Sequence, residues 1–235
     1  MEILHQGTLK NEAGTEEPFL VRKLTINDLH EICNVQSEVF SRLDDRNFLQ
    51  PLIADEYSFI LGGNGLMIGA FAGERMVAFR ALLVPLIDED HLGRDIGLRE
   101  ENLPKVIYQE ISNVLPEYRG NKLQRTLAIL LMQELNKQEH KYQYVCCTVA
   151  PFNIPSLKDK FSQGMEIAAL KEKYGGMLRY VFVKDLIMPE NRTWREVIHV
   201  PMDETAAQQE RISEGYRGIG IVNEAGTWLV QYGLG

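Results

Sequence analysis

The succession of elements between residues 106 and 150 constrains the fold of this chain more than any other feature of its sequence. VIYQEISNVL (106–115) predicts a β-strand, and leucines at helical spacing after residue 121 predict an amphipathic helix. YQYVCCTVA (142–150) predicts a second strand after that helix. A strand, a helix and a strand in this order are typical of a mixed α/β domain.

Strands and helices follow one another along most of the chain. The predicted strands lie at residues 19–26, 66–72, 76–84, 106–115, 142–150, 165–174 and 177–186. The predicted helices lie at residues 29–39, 46–61, 121–141 and 154–163. Glycine-containing turns at 73–75 and 175–176 predict that two of the strand pairs are hairpins. The order up to residue 186 is therefore β, α, α, β, β, β, α, β, α, β, β.

Residues 187–235 predict an extension with a strand at WREVIHV, a helix over residues 204–214 and a terminal hairpin. We therefore divide the chain into a first domain, residues 1–186, and an extension, residues 187–235. The pattern leaves open whether this extension forms a small second lobe or completes the first sheet.

The composition predicts a globular protein without membrane association. Apolar residues make up 45% of the 235 residues, and no window approaches the roughly 18 consecutive apolar residues of a membrane span. The N-terminus lacks a basic start followed by an apolar stretch, so no secretory signal is predicted and a cytoplasmic location is expected.

Charge and cysteine content argue against two further classes of protein, those that bind nucleic acid and those held together by disulfides or a metal. A net charge of −8 argues against general nucleic-acid binding, so a polyanionic ligand would need a local basic patch. The three cysteines show no CxxC spacing, so neither a disulfide framework nor a metal site is expected. Cys146 and Cys147 are interpreted as strand residues that face opposite sides of a sheet, with a catalytic cysteine as the alternative.

Two glycine-containing segments, YRGNKLQ (118–124) and GYRGIGIV (215–222), are candidates for a phosphate-binding loop. Such a loop needs the free backbone N–H groups of a helix start, where the helix dipole also favours an anion. GYRGIGIV continues into an apolar strand, and its glycines are better explained by a bulge or by close packing. YRGNKLQ leads into a helix, and Arg119, Lys122 and Arg125 surround it. The alternative for YRGNKLQ is a turn whose basic residues only cover the surface.

This arrangement resembles the GNAT superfamily of acyl-CoA-dependent N-acyltransferases. The phosphate loop of that family reads Q/R-x-x-G-x-G/A after a strand, and residues 119–124 occupy those positions. A second family motif is an asparagine after the next strand, followed by a short helix and a glycine. Asn153, Ser156, Gly164 and the hydrophobic residue beside that glycine, Met165, match its spacing, and the resemblance extends over roughly residues 19–186.

The resemblance implies a mixed, mostly antiparallel central sheet flanked by helices, followed by a small α/β extension. It implies an acetyl-CoA-dependent N-acetyltransferase that transfers an acetyl group to an amine of a small molecule, peptide or protein by direct attack in a ternary complex. The pantetheine would pair with the strand 106–115 and the pyrophosphate would bind the loop N–H groups, while a backbone N–H near Leu115 would polarise the thioester carbonyl. No metal is implied. The residues assigned to acetyl-CoA binding are Val114, Leu115, Arg119, Gly120, Asn121, Lys122, Leu123, Gln124, Arg125, Asn153 and Ser156.

The chain departs from the family pattern at three positions. Lys122 and Gln124 stand where small residues let the pyrophosphate approach the backbone. At a helix start their side chains can point outward, and Lys122 can add a charge-assisted contact. Seven residues after Asn153, where many members carry a tyrosine that protonates the leaving thiolate, this chain has Lys160. A thiol of pKa about 8.5, by analogy with cysteine, is a fair leaving group without that acid.

The attacking amine must lose a proton, and Glu110 is the candidate catalytic base. Strand alternation predicts that Glu110 shares a face with Ser112 and Val114. The alternative is a glutamate solvated on the strand, and Tyr108 is a weaker candidate. An acidic segment could attract a cationic amine or could be solvated charge on a long loop. Its residues are Asp88, Glu89, Asp90, His91 and Asp95.

Two functions other than catalysis stay open at the level of the sequence. The absent tyrosine allows a catalytically silent acyl-CoA-binding sensor or regulatory domain. A weaker alternative is a structural or partner-binding protein in which the loop only turns the chain. The extension could cover the acceptor site or form a homodimer contact.

Overall fold

The structure is a computed structural model that describes residues 2–11, 13–43, 45–138, 141–188 and 192–235. Its strands are β1 (Ile3–Lys10), β2 (Glu16–Lys23), β3 (Gly65–Ala72), β4 (Arg75–Leu83), β5 (Val106–Val114), β6 (Tyr144–Val149), β7 (Glu166–Lys173), β8 (Met177–Asp185), β9 (Glu196–Pro201), β10 (Arg217–Glu224) and β11 (Thr227–Leu234). Its helices are α1 (Leu29–Ser41), α2 (Ala54–Phe59), α3 (Leu92–Asp95), α4 (Leu123–Asn136), α5 (Ile154–Ser162) and α6 (Thr205–Ser213). The predicted mixed architecture of mostly antiparallel strands flanked by helices is confirmed.

The chain forms two compact units. The first comprises Met1–Pro85 and Tyr108–Lys141, and the second comprises Leu86–Ile107 and Tyr142–Gly235. The predicted division after residue 186 separates a catalytic domain from an extension, and it stays a prediction. Residues 189–191 of that extension lie outside the described residues.

In the first unit, β1 to β5 lie side by side in chain order, and each is antiparallel to the next. Helices cover both faces of this sheet. Arg80 of β4 bonds to α4, whereas its neighbour Phe79 packs against Tyr57 of α2 with ring centroids 5.8 Å apart. Because adjacent strand residues face opposite sides, α4 and α2 lie on opposite faces.

The strand β1 is missing from the sequence prediction. Leu9 alone among its eight residues is buried, so no apolar alternation marks it. It pairs with β2, where Gly7 lies opposite Phe19. A Cβ added at Gly7 would lie 2.6 Å from the Phe19 ring, so this close approach requires glycine.

The predicted helix at 46–61 is wrong over its first half. A single 3-10 turn occupies Arg46–Phe48, and α2 begins only at Ala54. Pro51 explains the gap, because proline lacks an N–H and disfavours a helical conformation in the residue before it. The predicted helix at 121–141 is confirmed as α4 with shorter ends.

In the second unit, the strand order is β6-β8-β7-β10-β11-β9, and every pair is antiparallel. Gly218 of β10 lies opposite Ile167 of β7, and a Cβ added at Gly218 would lie 2.7 Å from the Ile167 Cβ. The register of β10 also shifts between Gly218 and Gly220. GYRGIGIV is therefore a strand whose glycines allow a bulge and close packing, as predicted. The extension completes the sheet of this unit.

Cys146 and Cys147 are buried residues of β6, which confirms their interpretation as strand residues. Burial raises the pKa of the Cys146 thiol, so a thiolate there is unfavourable. None of the helices in the described ranges is long and apolar enough to cross a membrane.

Candidate functional site

The strand β5 ends at Val114, and the chain then leaves the sheet through a 3-10 turn. The Leu115 N–H donates to the Val77 carbonyl at 2.9 Å, and the Leu115 carbonyl accepts from the Tyr118 N–H at 3.0 Å. The fold therefore already uses the Leu115 N–H, and the expected backbone donor near Leu115 for a thioester carbonyl stays a prediction.

Residues 119–125, which we call the cradle loop, contain two residues in the left-handed conformation. Gly120 has a φ of 86°, and Lys122, the N-cap of α4, has a φ of 58°. Within the described part of the chain, the backbone N–H groups of residues 120–125 donate no hydrogen bond. Consecutive N–H groups at a helix start, with the positive end of the helix dipole behind them, form an anion-binding concavity.

The side chain of Asn121 holds the cradle loop against β1. Its Oδ1 accepts from the Lys10 N–H at 2.8 Å, and its Nδ2 donates to the Lys10 carbonyl at 2.7 Å. The Nδ2 group also donates to the Tyr118 carbonyl at 3.0 Å. The Asn121 side chain therefore has a positioning role, and its backbone N–H stays available to a ligand.

Three exposed cations surround these donors, namely Arg119, Lys122 and Arg125. The nearest acidic residue in the sequence, Glu117, lies 2.9 Å from the Arg75 guanidinium and is thereby neutralised. The cradle loop therefore carries three exposed cations on a chain whose net charge is −8.

Glu110 lies at a β-bulge in β5. Ala81 of β4 lies opposite Ile111, whereas Leu82 lies opposite Gln109, so that Glu110 is the extra residue. A bulge of this kind bends the strand and redirects a side chain, and it is common next to active sites.

The bulge changes the face on which Glu110 lies. Tyr57 of α2 lies within electrostatic range of Glu110, whereas Ser112 lies opposite Arg80, which bonds to α4. The predicted common face of Glu110 with Ser112 and Val114 is therefore wrong, because the extra residue inverts the alternation between them.

The carboxyl group of Glu110 is half-buried and has no hydrogen bond or ion pair within the described residues. Burial raises its pKa to about 7, and the nearby carboxylate of Glu56 adds to this effect. A carboxyl group that titrates near neutrality can accept a proton at physiological pH.

Two buried residues, Tyr57 on the α2 face of the sheet and Arg80 on the α4 face, were not predicted. Tyr57 is fully buried and donates to Gln36 Oε1 at 2.6 Å. Arg80 is 1% exposed, and it stands inside the apolar run MVAFRALLV. A buried cation requires hydrogen-bond partners, so an arginine inside an apolar run is a sequence signal that could have identified Arg80 as a buried, hydrogen-bonded residue.

The second unit contains the predicted asparagine motif. Asn153 is the N-cap of α5, and its Oδ1 accepts from the Ser156 N–H at 3.3 Å. Lys160 is buried on α5, with its Nζ 3.5 Å from Asp159 Oδ2. The contact of Asn153 and Ser156 with acetyl-CoA stays a prediction, and Asn153 has a capping role in the fold.

The acidic segment is in part used by the fold of the second unit. Asp95 lies 3.0 Å from Lys171 and 2.9 Å from Lys173. His91 is buried, its Nδ1 accepts from the Gly93 N–H at 3.1 Å, and burial lowers its pKa. Among the described residues, no group of three or more His, Cys, Asp or Glu is arranged to hold a metal ion.

The fold is that of the GNAT N-acetyltransferases. A ribosomal-protein-alanine N-acetyltransferase from Brucella melitensis superposes with a TM-score of 0.53 at 18% identity, over 71% of this chain and 99% of that one. A GNAT-family acetyltransferase from Streptococcus pneumoniae gives 0.53 at 16% identity, over 71% and 98%. A putative acetyltransferase from Salmonella typhimurium, solved with its cofactor acetyl-CoA, gives 0.52 at 12% identity, over 72% and 94%. The sequence matches no known family model and no curated protein.

Proposed function

We propose that this protein is an acetyl-CoA-dependent N-acetyltransferase that acts on an amine of a small molecule, peptide or protein. One observation carries the proposal: the backbone N–H groups of residues 120–125 stand without an acceptor in the described chain, at the start of a 14-residue helix. This is the arrangement that binds phosphate groups. The GNAT fold supports the assignment, and one of its members was solved with acetyl-CoA.

The diphosphate of acetyl-CoA would accept from the N–H groups of the cradle loop. Arg119, Lys122 and Arg125 would add charge-assisted contacts at its rim. The pantetheine would run along the backbone at Val114 and Leu115, which brings the thioester toward the bulge at Glu110.

Glu110 is the base of the proposed reaction. It removes a proton from the ammonium form of the acceptor, and the neutral amine attacks the thioester carbonyl. The new C–N bond forms, the C–S bond breaks, and CoA leaves as a thiolate, which takes up, directly or through water, the second proton that the nitrogen loses as it becomes an amide. A thiol of pKa about 8.5 leaves readily near neutral pH, so the reaction proceeds without the family tyrosine. Holding the two substrates together supplies much of the rate.

A second candidate is an acyl-CoA-binding sensor without catalysis. The observation that favours it is Lys160, which stands at the tyrosine position and is buried beside Asp159. A lysine paired in this way is a poor acid for a leaving thiolate. Both candidates require CoA binding, and they differ only in turnover.

Thermal-shift measurements with acetyl-CoA, CoA and ATP test CoA binding. Stabilisation by both CoA species and not by ATP supports the two candidates, whereas no stabilisation by either CoA species would refute both. Release of free thiol from acetyl-CoA across a panel of amines then separates them, because the sensor releases none.

A matched pair of charge reversals tests the location of the ligand. Arg125→Glu places an anion at the cradle loop, whereas Arg99→Glu changes a cation whose side chain is 84% exposed and pairs only loosely with Glu101 at 4.0 Å. We expect Arg125→Glu to weaken CoA binding and Arg99→Glu to leave it unchanged. Equal losses of CoA affinity in the two variants would show that the ligand does not bind at the cradle loop.

A further inference from the structure

Arg80 is a cation in the middle of an apolar strand. It lies on β4 opposite Ser112 of β5, and it is 1% exposed. Removing a guanidinium from water is costly unless its N–H groups find acceptors. Its Nη1 donates to the Gln124 carbonyl at 3.1 Å, and its Nη2 donates to Gln109 Oε1 at 2.7 Å. The buried charge is thereby joined to the first turn of α4.

The bond to Gln124 reaches the cradle loop through one peptide group. The Gln124 carbonyl and the Arg125 N–H are the two ends of the same planar peptide. In a helix, N–H groups point toward the N-terminus and carbonyls point away from it. Arg80 therefore holds the carbonyl of this peptide, while the N–H of the same peptide faces the anion site. A cation on the carbonyl also polarises this peptide and makes its N–H a stronger donor.

We infer that Arg80 is a positioning residue for the cradle loop, which orients and polarises the Gln124–Arg125 peptide so that its N–H binds the diphosphate of an acyl-CoA. This inference rests on the proposed function. Arg80 itself does not touch the ligand. If no anion bound at the loop, the same bond would only pack α4 on the sheet.

The test measures binding of CoA and of inorganic pyrophosphate to the full-length protein by calorimetry. Arg80→Met keeps an unbranched, flexible stem that suits the apolar surroundings and removes the donors, so we expect both dissociation constants to rise on the order of tenfold, as for the loss of one charge-assisted hydrogen bond. Arg80→Lys keeps a cation that can reach one carbonyl and recovers part of the loss. Gln109→Met removes a different acceptor of Arg80 and retains the affinity for both ligands.

A kinetic readout separates positioning from catalysis. With Arg80→Met, the KM for acetyl-CoA rises while kcat at saturating acetyl-CoA stays at the wild-type value. A fall in kcat without a change in KM would contradict the inference, because the residue would then act on the reacting atoms or on the fold.

Leu127→Ala is the structural control, since Leu127 is a fully buried residue of the same helix and its truncation lowers stability by leaving a cavity. The inference would be overturned if Arg80→Met left the affinity unchanged. It would also be overturned if Leu127→Ala, at a comparable melting temperature, lost as much affinity as Arg80→Met. Neither result would contradict the proposed function. If the wild-type protein bound neither CoA nor pyrophosphate, the proposed function and the inference would both fail.

Discussion

At the scale of single residues, Glu110 links the proposed activity to pH. Its pKa of about 7 means that the base is half-protonated near neutrality, so kcat/KM should rise with pH through this region and level off above it. Glu110→Gln removes the base and should lower kcat/KM by about 100-fold or more. A pH-rate profile of both proteins checks this. A Glu110→Gln protein that keeps the ascending limb near pH 7 would assign that limb to another group.

The same residue should lower stability at high pH. The carboxyl group of Glu110 has a pKa of about 7 in the folded protein and 4.5 as its ordinary value. Between these values the folded state binds more protons than the unfolded state, so its stability falls as the pH rises. A difference of this size corresponds to about 3 kcal/mol. Chemical denaturation should show that Glu110→Gln raises the free energy of unfolding at pH 8 and leaves it almost unchanged at pH 4. A larger gain at pH 4 than at pH 8 would contradict burial as the cause.

Asn113 is a second residue whose polar group costs stability. It is 1% exposed on β5, and neither Oδ1 nor Nδ2 has a hydrogen-bond partner in the described residues. Asn113→Leu has the same branched arrangement of heavy atoms and no polar atoms, so it should raise the free energy of unfolding by roughly 1–3 kcal/mol. Asn113→Asp is the control that adds a charge and should be destabilising. Lower stability of the leucine variant would show that the amide has a partner such as water.

Lys122 combines backbone strain with a charge at the cradle loop. An L-residue with a φ of 58° costs roughly 1–2 kcal/mol relative to glycine, the residue that the GNAT motif has here. Lys122→Gly and Lys122→Ala both remove the charge, but the glycine variant alone relieves the strain. We expect both to weaken CoA binding to the same extent, while the glycine variant is more stable to denaturant by about 1 kcal/mol. Equal stability of the two variants would argue against strain at this position.

At the scale of elements, the sequence predicted the parts that periodicity and caps define. The leucine stripe of α4, the Asn153 cap of α5 and the strand nature of GYRGIGIV are all confirmed. Each depends on neighbours within a few residues, so the local pattern was sufficient.

The elements that were missed depend on distant residues. β1 has little apolar surface and exists because β2 supplies its hydrogen-bond partners. The bulge at Glu110 is set by the register of β4, which no pattern within β5 records. The face of the candidate base therefore could not be predicted, although its strand could.

The cradle loop shows the same division between local and distant causes. Its position before a helix and its basic residues could be predicted from the sequence. The anchoring of Asn121 to Lys10 joins residues 111 positions apart, and the bond from Arg80 to Gln124 joins residues 44 apart. These contacts orient the loop, and only the folded chain displays them.

At the scale of the whole molecule, the extension is part of the sheet of the second unit. β10 pairs with β7, and the side chain of Gln208 on α6 connects the extension to the earlier strands. Gln208 is fully buried, its Oε1 accepts from Tyr180 of β8 at 2.7 Å and from Tyr232 of β11 at 3.0 Å, and its Nε2 donates to the Met202 carbonyl at 2.9 Å. One amide therefore satisfies two buried hydroxyls and joins both parts of the unit.

Gln208→Leu should lower the free energy of unfolding by several kcal/mol, since each buried hydroxyl left without an acceptor costs roughly 1–3 kcal/mol. Gln231→Leu is the matched control, because Gln231 is a half-exposed residue of the same extension whose Nε2 lies 3.2 Å from His199. Denaturant unfolding followed by far-UV circular dichroism measures both variants. If residues 187–235 were an independent lobe, Gln208→Leu would give a separate unfolding transition at low denaturant. Because the strands of this extension belong to the sheet of the second unit, we expect β6 to β11 to lose stability together. Amide hydrogen exchange should then be accelerated as much in β8 as in β11.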